Sequence, residues 1–524
     1  MKHQTRSAVV IVAMILGAVA YPTSQVPSPS ASSVAAQLKQ IAYLKASNPA
    51  EDAHFGCGGT LTGHAGNSSA LSADGNTIAI GAPHESSGAN GINGNQNDSS
   101  VYSAGAVYVF TRRGDRVTQQ AYIKASNPMP GADFGSSVVL SRDGNTMAVA
   151  AYYESSAATG INGNQNDRSI PEAGAVYVFV RSGNTWSQQA YIKASNTGTA
   201  AVGDGFAEGD QFGYSIALSS DGNTLAVGAI GEDSNATGIN GNQADNSANQ
   251  SGAAYVFTRT GSSWSQQAYI KSTMTRPNIL FGYSIGLSAN GDTLAVAEYD
   301  ADRGKGALYV LERSGGAWSH QARIQDQAEH LEPQDSLGYS LAISDDGSTI
   351  AAGAADEDCM LAGINPPCGL DQAQDNSSGA AWIFVRNGST WIQQAFLKAS
   401  NPGDHDWFGV RLAISGDGNT VAVSAPNEDS AATGINGKQD DGSAAEAGAV
   451  YFYTRTGTTW VQQAYVKSSN TGAGDEFGSS IALSRDGRTM LVGARGEDSV
   501  AKGINGNQAD NSLRDSGAAY LFAR

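Results

Sequence analysis

Phe212–Ser272 reads FGYSIALSSDGNTLAVGAIGEDSNATGINGNQADNSANQSGAAYVFTRTGSSWSQQAYIKS, and the pattern recurs along the chain. Four short apolar runs lie within it. The first is residues 215–219 (SIALS). An Asp221-Gly222-Asn223 turn follows, a strong hairpin signal because its glycine tolerates positive φ. The second run is TLAVGA at 224–229. A long polar loop leads to the third, AAYVFTR at 253–259, which is β-branched and aromatic as strands prefer. A tight TGSSW turn then opens the fourth, QQAYIKS. No 3.6-residue period persists, so the unit is four strands and no helix.

The Phe-Gly marker recurs at Phe55, Phe134, Phe212, Phe281, Phe408 and Phe477, and Leu337-Gly338 supplies a seventh copy. Spacings run from 69 to 79 residues apart from one of 56, as expected of a fixed supersecondary unit with variable loops. Seven copies of a four-stranded antiparallel unit predict an all-β fold, a seven-bladed β-propeller. The last copy stops at Tyr520-Leu521-Phe522, after its third strand. Residues 38–49, LKQIAYLKASNP, match the fourth strand of the other copies. The N-terminal strand is therefore expected to complete the last blade and close the ring. An open solenoid is the alternative, but it gives no reason to divide a blade between the termini. Trp186, Trp264, Trp318, Trp391 and Trp460 share one repeat position, filled by Val117 and Leu38 in the other two copies, which marks inter-blade packing.

At these residues the chain resembles the FG-GAP repeats of the integrin α-subunit β-propeller. Phe55-Gly56 followed by Gly81-Ala82-Pro83 spells the motif, and Gly228-Ala229 and Ser424-Ala425-Pro426 are further copies. The likeness covers about residues 37–524 and implies a secreted, bacterial-type member. Integrin propellers carry DxDxDG-type calcium loops between their first two strands. Here that turn is SSDGNT, SRDGNT or SGDGNT, with too few acids for the six to eight oxygens of Ca²⁺.

The address is read from the start of the chain. Lys2 and Arg6 precede an apolar run at 7–20 that ends in the small residues Ala18-Val19-Ala20, the pattern of a signal peptide cleaved near Ala20. The run is short of the roughly 20 residues that span a bilayer. Residues 21–36, YPTSQVPSPSASSVAA, read as a Pro/Ser-rich spacer before the propeller at 37–524. No later segment is apolar enough to span a membrane, so the protein is expected to be secreted, periplasmic or at the cell surface. A net charge of −18 excludes the phosphate contacts of nucleic-acid binding and fits a solvated surface. Cys359 and Cys368 are expected to form a disulfide in an oxidising compartment.

The long loops between strands two and three gather on one face with those between blades. They open with acids, including Glu232-Asp233, Glu428-Asp429 and Glu497-Asp498, and continue through GINGNQ or GINGKQ to Asp245, Asp440 and Asp510. One reading gives these residues turn and capping roles. The other gives them Ca²⁺, through carboxylates and Asn carbonyls. Blade four has only AEYDADRGKG at 297–306, which predicts a notch in the loop crown with Tyr299, Asp300, Asp302, Arg303 and Lys305 as ligand-binding residues. Arg113-Gly114-Asp115 falls in a 3–4 turn, where Gly-Asp is ordinary turn chemistry. No GxSxG, HExxH or P-loop is present, and the histidines lack zinc-ligand spacing. The expected function is non-catalytic binding or adhesion, with a protein or glycan ligand taken on the long-loop face. The alternatives are a polysaccharide hydrolase or lyase with an axial site, and a structural part of a surface assembly.

Overall fold

The computed structural model describes residues 38–57, 66–198, 209–326, 331–369 and 376–524. The signal-peptide and spacer assignments lie outside these residues. Leu38–Arg524 forms one compact unit of seven four-stranded antiparallel sheets. In blade three the strands are Phe212–Leu218, Thr224–Ala229, Ala253–Thr260 and Ser263–Ile270, paired in that order. The seventh blade consists of Phe477–Leu483, Thr489–Ala494, Ala518–Ala523 and the N-terminal strand Lys39–Leu44. Leu44 lies opposite Ala519 and Tyr43 opposite Tyr520, so the ring closes through the chain ends, as expected. The single helical turn described is Ala301–Gly304, in blade four's shortened loop.

First strands of neighbouring blades touch one another around the ring, so they line the axis. Second strands such as TLAVGA are buried at every residue. They read as continuous apolar runs because sheets cover both of their faces. Fourth strands alternate at their outer end, where the tryptophan is buried between exposed neighbours. Each core is shared between two blades: Val176 and Val178 of blade two pack with Leu225, Val227 and Tyr255 of blade three. Trp264 is 7% exposed, and its Nε1–H donates to Gln189 Oε1 of the preceding blade at 3.0 Å. Arg259 lies over its ring, 5.4 Å from the centroid. Burying such a ring contributes roughly 3 kcal/mol, and the repeated tryptophan is a blade-to-blade contact.

The Phe-Gly marker acquires a steric meaning. Gly282 has φ +95°, and a Cβ on Gly228 would stand 2.1 Å from the Gly282 carbonyl oxygen. The glycine of one blade's Phe-Gly thus sits against the Gly-Ala of the blade before it, with no space for a side chain. The Asp-Gly turns cap themselves. Ser219 Oγ donates to Asp221 Oδ1 at 2.5 Å, Asn223 N–H donates to the same oxygen at 2.9 Å, and Thr224 N–H donates to Ser219 Oγ at 2.9 Å. The residue before each turn aspartate or asparagine also joins a closed circle. Backbone N–H groups of Ala73, Arg142, Ser220, Ala289, Asp345, Gly416 and Arg485 each donate to the carbonyl of the next, and Arg485 donates to Ala73, at 2.8 to 3.1 Å. Seven hairpin tips are thereby tied into one hoop at the turn face.

Candidate functional site

Acids of the long loops are largely committed within the fold. Glu232 is 1% exposed and accepts from Lys271 Nζ at 2.5 Å, Tyr269 Oη at 2.7 Å and Asn196 Nδ2 at 2.9 Å. Glu428 accepts from Lys467 at 2.7 Å, Tyr465 at 2.8 Å and Asn401 at 2.8 Å. Glu497 accepts from Lys45 and Tyr43, each at 2.7 Å. Lys124–Glu85, Lys193–Glu154 and Lys398–Glu357 repeat the pair, and all six lysines are 0% exposed. Burial pushes each ammonium down, and the facing glutamate pulls it back up. In five of the six pairs an asparagine of the preceding blade also donates to the glutamate, so those pairs staple two blades together. Blade four lacks the pair. Arg323 stands at the tyrosine position and Gln325 at the lysine position, and Arg323 reaches buried Glu298 at 3.5 Å.

The neighbouring aspartates serve loop backbone. Asp233 accepts from Gln250 N–H at 2.8 Å, Asp429 from Glu446 N–H at 2.9 Å and Asp498 from Asp515 N–H at 2.8 Å. Asp245 and Asp510 cap Ser247 and Ser512, at 2.9 and 3.0 Å. In blade six that cap belongs to Asp441, whose Oδ1 accepts from Ser443 N–H at 3.2 Å, while Asp440 is exposed and pairs with Lys438 at 3.2 Å. The GINGNQ motif is an edge clasp: Asn240 Oδ1 accepts from Tyr269 N–H at 3.0 Å, and Ile239 bridges Ile270. Asn365, in a GINPPC variant, clasps Phe396 in the same way at 2.8 Å, a sixth copy hidden by the change of its last three residues. Cys359 and Cys368 are joined in a disulfide beside it.

The five notch residues separate. Tyr299 stacks on Tyr283 with centroids 4.2 Å apart and planes 19° apart. Asp302 is exposed and accepts from Arg323 Nη2 at 2.8 Å and from Gln325. Hydrogen bonding from Arg323 holds its carboxyl below the usual range, against a smaller effect of burial. Asp300 is half-buried and pushed up by burial, Arg303 is exposed, and Lys305 is half-buried.

Tyr299 belongs to a larger assembly at the loop-face end of the axis. Tyr152, Tyr214, Tyr283, Tyr339, Ala355 and Val410, from five blades, form one buried cluster. Packed against it are the half-buried Tyr153, Ile230, Leu280, Tyr299 and Trp407. These side chains occupy repeat positions flanking Phe-Gly and following strand two. On the blade seven, one and two side the same positions are polar. Arg495 Nη2 donates to Glu476 Oε1 at 2.6 Å. His54 and His84 rings lie 4.5 Å apart, and His84 Nε2 is 3.9 Å from Asp133 Oδ2. Burial pushes the Asp133 carboxyl up to about 8, partly offset by a Tyr152 hydrogen bond. Burial, then the neighbouring His84 and two arginines, pushes His54 down to about 3, leaving it neutral. The axial end therefore carries an aromatic cluster on one side and titratable groups on the other. The signal for it is the few positions, such as the residue before each Phe-Gly, where the copies differ: His54, Asp133, Gln211, Leu280, Ser336, Trp407 and Glu476.

Two further hollows share the axis. A cavity of about 340 Å³ runs between the first strands and carries Arg411 among serines. At the turn face a depression of about 1020 Å³ is lined by Arg142, Arg485, Arg488 and the turn aspartates.

Residues 391–453 and 460–522 match the FG-GAP repeat. No curated protein matches the chain. Among solved structures, a candidate 6-phosphogluconolactonase from Bacteroides uniformis is 11% identical, with TM-score 0.43, over 76% of this chain and 85% of that one. Hydrazine synthase of Kuenenia stuttgartiensis is 13% identical, with TM-score 0.45, over 83% of this chain and 94% of that one. The first matched stretch runs from blade five's fourth strand through most of blade six's third, and the second from blade six's fourth strand through blade seven's third: the chain carries FG-GAP repeats on a seven-bladed β-propeller.

Proposed function

We propose that the protein is an exported binding module that takes a glycan at the loop-face end of its axis. The observation that carries this reading is the half-buried floor of Trp407, Tyr299 and Tyr153 beside the polar wall of His84, Asp133 and Glu476. Sugar rings present C–H faces that pack on aromatic side chains, and hydroxyls that need convergent donors and acceptors. The test is a glycan array probed with the purified chain, followed by calorimetry on hits. Trp407→Ala and Tyr299→Ala are expected to weaken binding at least tenfold without shifting the melting temperature by more than a few degrees. Absence of any glycan hit, or full affinity in both variants, sinks the reading; a hit for protein ligands alone moves it to adhesion between proteins.

One observation favours catalysis on a polysaccharide at the same mouth as a second reading. Asp133, pushed up to about 8 beside His84, is a group suited to proton transfer near neutral pH. Asp133→Asn would then abolish release of sugar while retaining binding. Calcium in the loops is supported by the charge around Asp406 and Asp475, whose carboxyls burial and nearby acids push up to about 7. Glu428 and Glu497 are held by lysines, which leaves Asp406 with Asp429, and Asp475 with Asp498, as the donors for such an ion. A melting temperature unmoved by EDTA and by added calcium rejects it.

A further inference from the structure

The two ends of the propeller chain meet in a side-chain set found at no other blade junction among the described residues. Asp52 N–H donates to the Arg514 carbonyl at 3.0 Å, His54 N–H to that of Asp515 at 3.1 Å, and Phe55 N–H to that of Ser516 at 3.1 Å. Every junction has a comparable pairing between the segment before Phe-Gly and the loop before strand three. What differs is the side chains. At the next junction the equivalents of Asp52, His54 and Asp515 are Gly131, Asp133 and Ser103; at the one before it they are Gly474, Glu476 and Glu446. Among the described residues, two carboxylates and an imidazole converge only where the chain closes on itself, with ligand atoms all within 4.8 Å of one another.

Two details of the side chains bear on what this set can hold. The carboxylates are bridged by one guanidinium: Arg514 Nη2 lies 2.8 Å from Asp52 Oδ2, and Nη1 lies 3.2 Å from Asp515 Oδ2. That side chain is 62% exposed, so it can swing out at little cost. The His54 imidazole, in contrast, is held against His84, and its Nδ1 is enclosed with no hydrogen-bond partner. An enclosed ring nitrogen without a partner costs free energy, which an ion held at that nitrogen would offset.

We propose that Asp52, His54 and Asp515 hold one first-row divalent transition-metal ion, of which Zn²⁺ is the representative. Two carboxylates and one imidazole are a nitrogen and oxygen donor set of that class, and they cancel the charge of a divalent ion. Three protein ligands leave a coordination position open on the loop face. Arg514 is the internal counter-ion that metal displaces. The proposal stands on this junction alone and does not depend on what the aromatic floor binds.

The test uses the full exported chain, stripped of metal and titrated separately with Zn²⁺, Co²⁺ and Ca²⁺ by calorimetry, with the visible spectrum of Co²⁺ as a second readout. One Zn²⁺ or Co²⁺ per chain is expected. His54→Ala and Asp515→Asn should each weaken binding at least tenfold, with unchanged far-ultraviolet circular dichroism as the folding control. Arg514→Ala should bind several-fold more tightly, because the competing guanidinium is gone. The proposal is overturned by an absence of saturable Zn²⁺ and Co²⁺ binding. Binding unchanged in both ligand variants, or a thiolate-to-cobalt band that assigns the ion to Cys57, overturns it equally. Saturation by Ca²⁺ with no response to Zn²⁺ also overturns it.

Discussion

The six buried lysine–glutamate pairs are the residues whose chemistry departs most from their appearance in the sequence. Glu232 stands at the start of a polar, Asp- and Asn-rich loop, the setting of a solvated acid. It is instead enclosed with Lys271, 39 positions further on, and with Asn196 of the preceding blade. Desolvation makes the pair weak as a source of stability but costly to break. Lys271→Met is expected to cost about 3–5 kcal/mol, because a lone carboxylate is left buried. Lys271→Met with Glu232→Gln should recover more than half of that, since the amide oxygen still accepts from Tyr269 and Asn196. Denaturant midpoints measure both, and a single variant within about 1 kcal/mol of the parent would contradict the account. At this scale the sequence was legible where a residue's role is local. The Asp-Gly turns, whose partners lie within five residues, were readable. The pairs were not, because no local rule links Glu232 to Lys271.

Among the elements, the N-terminal strand Lys39–Leu44 carries the greatest consequence for its length. It contributes the outer edge of blade seven and brings Lys45 to Glu497. Removing residues 38–46 exposes the edge of Ala518–Ala523 and leaves Glu497 buried without its cation. Exposed strand edges recruit other chains, so the truncated protein is expected to aggregate, or to melt at least 10 °C below the parent. A synthetic peptide spanning residues 38–49 should restore part of that loss. A truncated chain that stays monomeric with an unchanged melting temperature would show that the ring does not need its closing strand. The split blade was legible because the missing fourth strand and the surplus N-terminal one share a repeat pattern. The GINGNQ clasp was half legible. Its repetition indicated a structural role, but its partner, the backbone of strand four, lies about 30 residues away.

Over the whole molecule, buried carboxyls set the dependence on pH. Asp133 and Asp335 are pushed up to about 8, and Asp406 and Asp475 to about 7, by burial above all. Each binds a proton more tightly folded than unfolded, so stability falls as pH rises from the unfolded carboxyl range, near 4, to the folded values. The turn aspartates act in the opposite sense. In Asp74, Asp143, Asp221, Asp346 and Asp417 burial pushes up, but hydrogen bonds outweigh it and hold the carboxyl low. Their contribution is present above the unfolded value and is lost as pH falls through the folded one. The melting temperature is therefore expected to peak between about pH 4 and 6 and to decline towards pH 8. A maximum at or above pH 8 in thermal scans would be incompatible with these four buried carboxyls. Asp133→Asn and Asp475→Asn should flatten the decline.

The sequence by itself determined the blade, the number of blades and the way the ring closes. Those properties rest on strand alternation, turn residues and repetition, which are local and survive in every copy. Tertiary structure alone decided which positions of each copy reach the axis. It placed Trp407, Tyr299 and Tyr153, from three blades, on one floor, and His54, His84 and Asp133 on one wall. It also drew Asp52, His54 and Asp515 together across nearly the whole length of the chain. The physical reason is that a repeat encodes its own fold by what its copies share, whereas the axial site is made of what they do not share. Such differences acquire meaning only when seven blades bring them to one point.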